Sequence, residues 1–298
     1  MRLVNNEGLK KLTNTTNGSI NKQVVDFAKN ILFSQLKSYI SDEKQYKIIN
    51  DKISNMKIEL LSSPDFKDKY YESNGKGFLP AAFVYGGIIY FRNDINFDIN
   101  DFHKLIHEML HIISDNGEKE GLLQHNKEKN YMYGRGLNEA FTEYLTSLIL
   151  EDNFRGYSKD FEYIIQLFMI LTNLDIKDLF SLYVSKEEWL TDEIINTFNP
   201  NDNELVGLII EYDNMLNPNK KLNPNNVLHF LFNSIKIKIN NNGKLNTEKL
   251  EELLKKYYHY YCNEDRDLDV STRTGMAELL DILGPYKHKM SRQYCKKM

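Results

Sequence analysis

Cysteine is scarce. Cys262 and Cys295 are the only two in 298 residues, far apart and in no metal-ligand spacing. A disulfide framework and a cysteine-built zinc site are both excluded; a single disulfide stays open beside the expectation of two idle or buried thiols. Apolar runs approaching the ~18 residues of a membrane-spanning helix are absent, so no membrane span is expected. The opening residues Met1-Arg2-Leu3-Val4-Asn5-Asn6-Glu7-Gly8 carry one early positive charge and no apolar run behind it. No secretory signal is read there, and the expected location is cytoplasmic; a protein exported without a standard signal would read the same way. A net charge of −4 gives no electrostatic footprint for nucleic acid. No internal repeat is visible.

What remains is an ordinary globular composition, 41% hydrophobic and 27% charged. The length suffices for one large domain or two lobes, with enough core to do without disulfides. Residues 20–40 carry Val24, Ala28, Ile31, Leu32 and Leu36 at helical spacing. A short strand is expected over 56–61, closed by Ser62-Ser63-Pro64. Residues 81–91 are rich in β-branched and aromatic side chains, with Gly86-Gly87 as a hairpin turn or a bulge. A helix over 101–113 follows, capped by Asp98 or Asn100 and stopped at Asp115-Asn116-Gly117. A polar loop is expected over 118–130, then a helix over 137–150. Further helices are expected over 161–174, 186–198, 204–215, 227–237, 247–261 and 276–283. The fold class is therefore α+β. A small mixed α/β lobe (1–120) carries the 101–113 helix, and a mostly helical lobe (121–298) follows, with the chemistry expected where the two meet.

The chemistry is carried by His107-Glu108-Met109-Leu110-His111. On a helix, residues four apart share a face, so His107 and His111 present two imidazoles to one point. Two imidazole nitrogens are standard zinc ligands. Glu108 projects about 100° around the helix from His107, beside such a metal, where it can act as general base on a zinc-activated water. Leu105, Ile106, Met109, Leu110, Ile112 and Ile113 surround the pair, so the helix is expected to be buried, and buried imidazoles need partners. A metal is one. The alternative is a core helix whose histidines hydrogen-bond to neighbours. Downstream, Gly136-Leu137-Asn138-Glu139-Ala140-Phe141-Thr142-Glu143-Tyr144 opens the next helix. Glu139 is the candidate third ligand. Glu143, four residues on, is placed to accept a hydrogen bond from His107 and fix its orientation. The alternative for these two carboxylates is a solvated acidic face.

The motif helix together with Asn138-Glu139-Ala140-Phe141-Thr142-Glu143 resembles the gluzincins, the thermolysin-like clan of zincin metallopeptidases. The likeness covers about residues 80–150. It implies a zincin-like fold and one zinc ion per chain, with His107, His111 and Glu139 as ligands, Glu108 as general base and Glu143 behind His107. It also implies a strand along the substrate cleft, for which residues 83–91 are suited. A metzincin pattern fails, because Ser114 and Gly117 stand where it needs a glycine and a third histidine. Asp115 follows His111 too closely to serve as an aspzincin ligand. Tyr131-Met132-Tyr133-Gly134-Arg135 places a tyrosine a few residues ahead of Glu139, which resembles lethal-factor-type toxin peptidases. That likeness implies Tyr133, with Tyr131 second, as donor to the oxyanion. Arg135 is a candidate for a substrate carboxylate or for Glu143.

His103 reads as a surface residue, with a supporting role behind the ligands as the alternative. His229 and His259 lack a matching motif, and His125 and His288 sit in polar surroundings. The tyrosine-rich stretch 255–261 reads as a core-plus-rim helix face rather than a nucleic-acid stacking platform. The expectation is thus a zinc metallopeptidase acting on a peptide or protein, with no nucleic-acid or membrane partner. The alternatives are a partner-specific toxin, effector or regulatory protease, a non-catalytic binding protein on a zincin scaffold, and a helix with incidental histidines and no metal.

Overall fold

The computed structural model describes residues 8, 11, 20–40, 42–75, 79–94, 97–117, 119–126, 131–151, 159–186, 202–216, 224–241, 243–263 and 270–283. They form a mixed α+β protein that is mostly helical. Among them no helix is long and apolar enough to cross a membrane. Residues 187–198 of the expected 186–198 helix and the residues Cys295 and His288 lie outside the described residues, as does the side chain of Cys262. Two compact units interleave along the sequence. The first takes residues 1–122, 139–158 and 180–187, the second 123–138, 159–179 and 188–298. The division expected between residues 120 and 121 is therefore not a single cut, and Glu139 and Glu143 belong to the unit that holds the motif helix.

The first unit opens with α1 (Lys22–Leu36), capped by the Asn21 side chain, with Val24, Ala28, Leu32 and Leu36 on its buried stripe. Two helices follow that residue patterning does not announce. α2 (Glu43–Asn55) is polar and buries only Ile49 and Ile53. α3 (Ser63–Asn74) starts on a Ser62 cap with Pro64 in its first turn, where a missing N–H does no harm. β1 (Lys57–Leu61), β2 (Ala82–Tyr85) and β3 (Ile88–Arg92) make a three-stranded sheet in the order β1-β3-β2. β1 runs parallel to β3 and β2 antiparallel to it. Gly86 and Gly87 both have positive φ, +59° and +74°, the conformation a two-residue hairpin turn requires and glycine adopts freely. The hairpin, not the bulge, is therefore realised. β3 is paired on both sides, so within residues 83–91 only β2 keeps an open edge among the described residues.

Side chains alternate across β3. Tyr90 faces Phe83 and the α3 residue Phe66. Ile89 and Phe91, both fully buried, face the other way, where Phe91 meets Phe97 and Phe97 meets Phe102. Phe102 belongs to α4 (Ile99–Ser114), the helix of the histidine motif. Its start is a capping box: Asp98 accepts the N–H groups of Asn100 and Asp101, and Asp101 accepts the N–H of Asp98 at 3.1 Å. α4 packs on α1, α2 and the sheet. It buries Phe102, Leu105, Ile106, Met109, Leu110 and Ile113 completely, worth about 1.5–3 kcal/mol per side chain. The helix ends where Asp115 turns extended. There the Lys52 ammonium donates to the carbonyls of Ile113 and Asp115 at 2.6 and 2.7 Å, a cation on the negative end of the helix.

α5 (Arg135–Leu150) begins in the second unit and continues in the first from Glu139. α7 (Ile176–Val184), not anticipated from the sequence, brings Tyr183 into the first unit. In the second unit, part of the expected 118–130 loop is instead β4 (Gln124–Asn126), paired antiparallel with β5 (Tyr131–Tyr133). The rest of that unit is α6 (Lys159–Thr172), α8 (Asp202–Asn214), α9 (Asn225–Asn240), α10 (Thr247–Asn263) and α11 (Val270–Leu283). Asp213 of α8 accepts the N–H groups of Gly134 and Gly136 at 2.8 and 2.7 Å. A residue distant in sequence thus takes up donors left open at the start of α5.

Candidate metal centre

His107 and His111 lie one turn apart on α4, and Glu139 and Glu143 one turn apart on α5. Three donor atoms converge. His107 Nε2 and His111 Nε2 are 3.1 Å apart. Glu139 Oε2 lies 3.2 Å from the first and 3.4 Å from the second. Ligands on a tetrahedral ion at about 2.0–2.1 Å stand roughly 3.3–3.4 Å from one another, so the triangle has the size of one face of such a site. Two Nε2 atoms facing each other and a carboxylate need a shared proton or a shared cation between them. The donor set of two imidazoles and one carboxylate fits zinc.

The other nitrogen of each ring is also backed by a carboxylate. His107 Nδ1 is 3.1 Å from Glu143 Oε2, and Glu143 Oε1 is 2.8 Å from His103 Nε2. His111 Nδ1 is 2.8 Å from Glu120 Oε1, close enough for an ion pair but off the line of a hydrogen bond. Nearby, the Tyr183 hydroxyl shares a hydrogen bond with Thr142 Oγ1 of α5 at 2.8 Å, and the Ser114 hydroxyl donates to the His111 carbonyl. Burial pushes the Tyr183 phenol up.

The charges reinforce one another. Burial opposes ionisation of Glu139, yet the charge of His111 and hydrogen bonds from both imidazoles hold it well below the usual carboxylate range. Burial opposes Glu143 likewise, and the His103 and His107 hydrogen bonds override it in the same direction. Burial would lower His107, but Glu139 and Glu143 raise it to about 9. His111 is raised well above its ordinary value, against burial, by the Glu139 charge and the Glu120 contact. Glu108, half-buried on α4, is raised by burial with help from the charges of Glu139 and Glu120, and is opposed by the two histidines.

The structure brings together His107, His111, Glu139 and Glu143, with Glu108 following His107 on α4. It does not leave His103 on the surface. That ring is buried against Glu143, because His103 shares the inward face of α4 with Ile106 and Leu110, three and seven residues on. Its spacing of four from His107 was the signal. Glu120 carries no periodic signal at all; an isolated bridge between Asp115 and Glu120 folds it back. Tyr133 lies on β5 in the second unit, its ring 6.0 Å from that of Tyr131. Arg135 is exposed; burial raises Asp213 within the same unit, and the Arg135 charge only partly opposes that shift, while both oxygens of Glu143 are engaged by imidazoles. His125 and His229 are exposed. The side chain of His259 lies outside the described residues.

No protein-family model matches the chain, and no curated protein and no solved structure shows significant similarity to it.

Proposed function

We propose that the protein is a zinc-dependent metallopeptidase of zincin type. The carrying observation is the triangle of His107 Nε2, His111 Nε2 and Glu139 Oε2, with sides of 3.1, 3.2 and 3.4 Å, with Glu108 following His107 on the same helix. His107, His111 and Glu139 would hold the zinc. Bound there, the ion would supply Lewis acidity toward a carbonyl oxygen and toward water. Glu143 keeps a proton on Nδ1 of His107 and so leaves Nε2 as the ligating lone pair. Glu108 takes the proton from the attacking water and passes it to the leaving amine. Tyr133, on the resemblance to lethal-factor-type peptidases, is the candidate donor to the oxyanion. An extended substrate would add to the open edge of β2, backbone to backbone.

Elemental analysis of the purified protein beside His111→Ala tests the metal. About one zinc per chain, lost in the variant, supports the reading; no zinc in the wild type after remetallation sinks it. Hydrolysis is then followed on peptide libraries and candidate partner proteins. Glu108→Gln should keep its zinc and lose about 10²–10⁴-fold in rate. A rival reading has one observation in its favour: both ring nitrogens of His107 already face carboxylates, as in a metal-free ionic cluster. The same zinc determination separates the two.

A further inference from the structure

We propose that His103 is a positioning residue of the metal centre, acting on His107 through Glu143; the inference rests on the zinc reading above. His103 and Glu143 are each only 1% exposed. The Glu143 carboxylate is divided between two rings, Oε1 to His103 Nε2 at 2.8 Å and Oε2 to His107 Nδ1 at 3.1 Å. An ionised carboxylate only accepts, so both rings donate to it. The second donor changes what Glu143 does. His107 engages one oxygen of the carboxylate, and the His103 donor engages the other. Held from both sides, its plane is fixed, and the orientation and tautomer of His107 are fixed with it.

Packing does not account for a histidine here. His103 Nδ1 is buried with no hydrogen-bond partner among the described residues, an unfavourable placement that a phenylalanine would avoid. Nor is His103 a fourth ligand, because the convergent donor group is His107, His111 and Glu139 and His103 Nε2 is spent on Glu143. What His103 supplies is one N–H aimed at the oxygen that His107 leaves over.

The experiment uses the full chain. Zinc dissociation constants are measured by competition with a chromophoric chelator, and the ligand field by the visible absorption of the cobalt(II) form. His103→Phe fills the space without the donor. It should weaken zinc about 10–100-fold and shift the cobalt spectrum, with the helical circular dichroism retained. His103→Gln carries an amide N–H where Nε2 stands and should recover most of the affinity, whereas the shorter His103→Asn should not. Equal affinities in His103→Phe and wild type, or equal losses in the Gln and Asn variants, would overturn the proposal. The Gln and Asn pair decides it even if His103→Phe does not fold. A wild type that binds no zinc removes the parent reading and this one with it; a wild type that binds zinc beside an unaffected His103→Phe removes only this one.

Discussion

The two imidazoles of the centre are one helical turn apart and are supported in opposite ways. His107 is backed by Glu143, whose side chain is 1% exposed and which α5 carries and His103 holds from behind. His111 is backed by Glu120, whose side chain is 41% exposed and which arrives on the turn after α4. One arm is made of helix and buried charge, the other of a short chain reversal at the solvent boundary. The same His–carboxylate pair therefore carries different energies on the two sides. A buried carboxylate that loses a partner leaves an uncompensated group in low dielectric, whereas an exposed one is replaced by water.

The largest test is to remove each carboxylate in turn. Glu143→Gln opposes an amide NH₂ to a ring N–H and should destabilise the protein by about 3–5 kcal/mol, read from urea unfolding of the metal-free form. Its zinc affinity should fall about 10–100-fold. Glu120→Gln should cost no more than about 1 kcal/mol, with a zinc affinity within a few-fold of wild type. Equal losses in the two variants would break the comparison and place the Glu120 turn among the rigid parts of the centre.

Proton linkage sharpens the comparison. In the metal-free protein His107 is raised from 6.5 to about 9, and His111 well above 6.5. Protonated rings that gain carboxylate partners stabilise the fold fully below the unfolded value, and that stability is lost as pH rises through the folded one. The metal-free protein should therefore lose stability between about pH 6.5 and 9, on the order of 3 kcal/mol from His107 alone. Glu139 and Glu143, both depressed, act in the other sense; their contribution is present above the ordinary carboxylate range and lost on acidification. On the proposed function, a zinc-loaded form would need neutral rings, so its Tm should hold where that of the metal-free form falls. Thermal melts of both forms across this range read the widening gap. A metal-free Tm that stays flat from neutral to alkaline pH would show that the rings are not held protonated.

The same contrast separates what the sequence discloses from what it hides. The helical period alone sets His107 against His111 and Glu139 against Glu143, and apolar neighbours mark both helices as buried. That period equally marks His103, but a lone histidine beside exposed Lys104 and half-buried Asp101 reads as surface until Glu143 is seen behind it. Glu120 is invisible from the sequence. Its approach depends on the Asp115–Glu120 bridge and on Asn116 accepting the Lys119 N–H, which are local turn contacts with no period. α2 leaves no apolar period in the sequence for a related reason. It buries two isoleucines among eleven other residues, and its Lys52 acts through an ammonium on the end of α4 rather than through an apolar stripe.

The smallest expected effect is one of screening. At 0.15 M salt the Debye length is about 8 Å, and at 1 M about 3 Å. Exposed charges feel that change and buried ones do so much less. Whatever zinc affinity Glu120→Gln loses at low salt, up to about 1 kcal/mol, should disappear at 1 M salt, because the wild-type pair is then screened as well. The deficit of Glu143→Gln should persist, since salt does not reach a carboxylate enclosed by His103 and His107. Zinc titrations of wild type and both variants at the two ionic strengths make a square of measurements. A Glu120 deficit that survives high salt would mean that the turn closes over His111 when metal binds and buries the pair, and the two arms would then differ in the free protein alone.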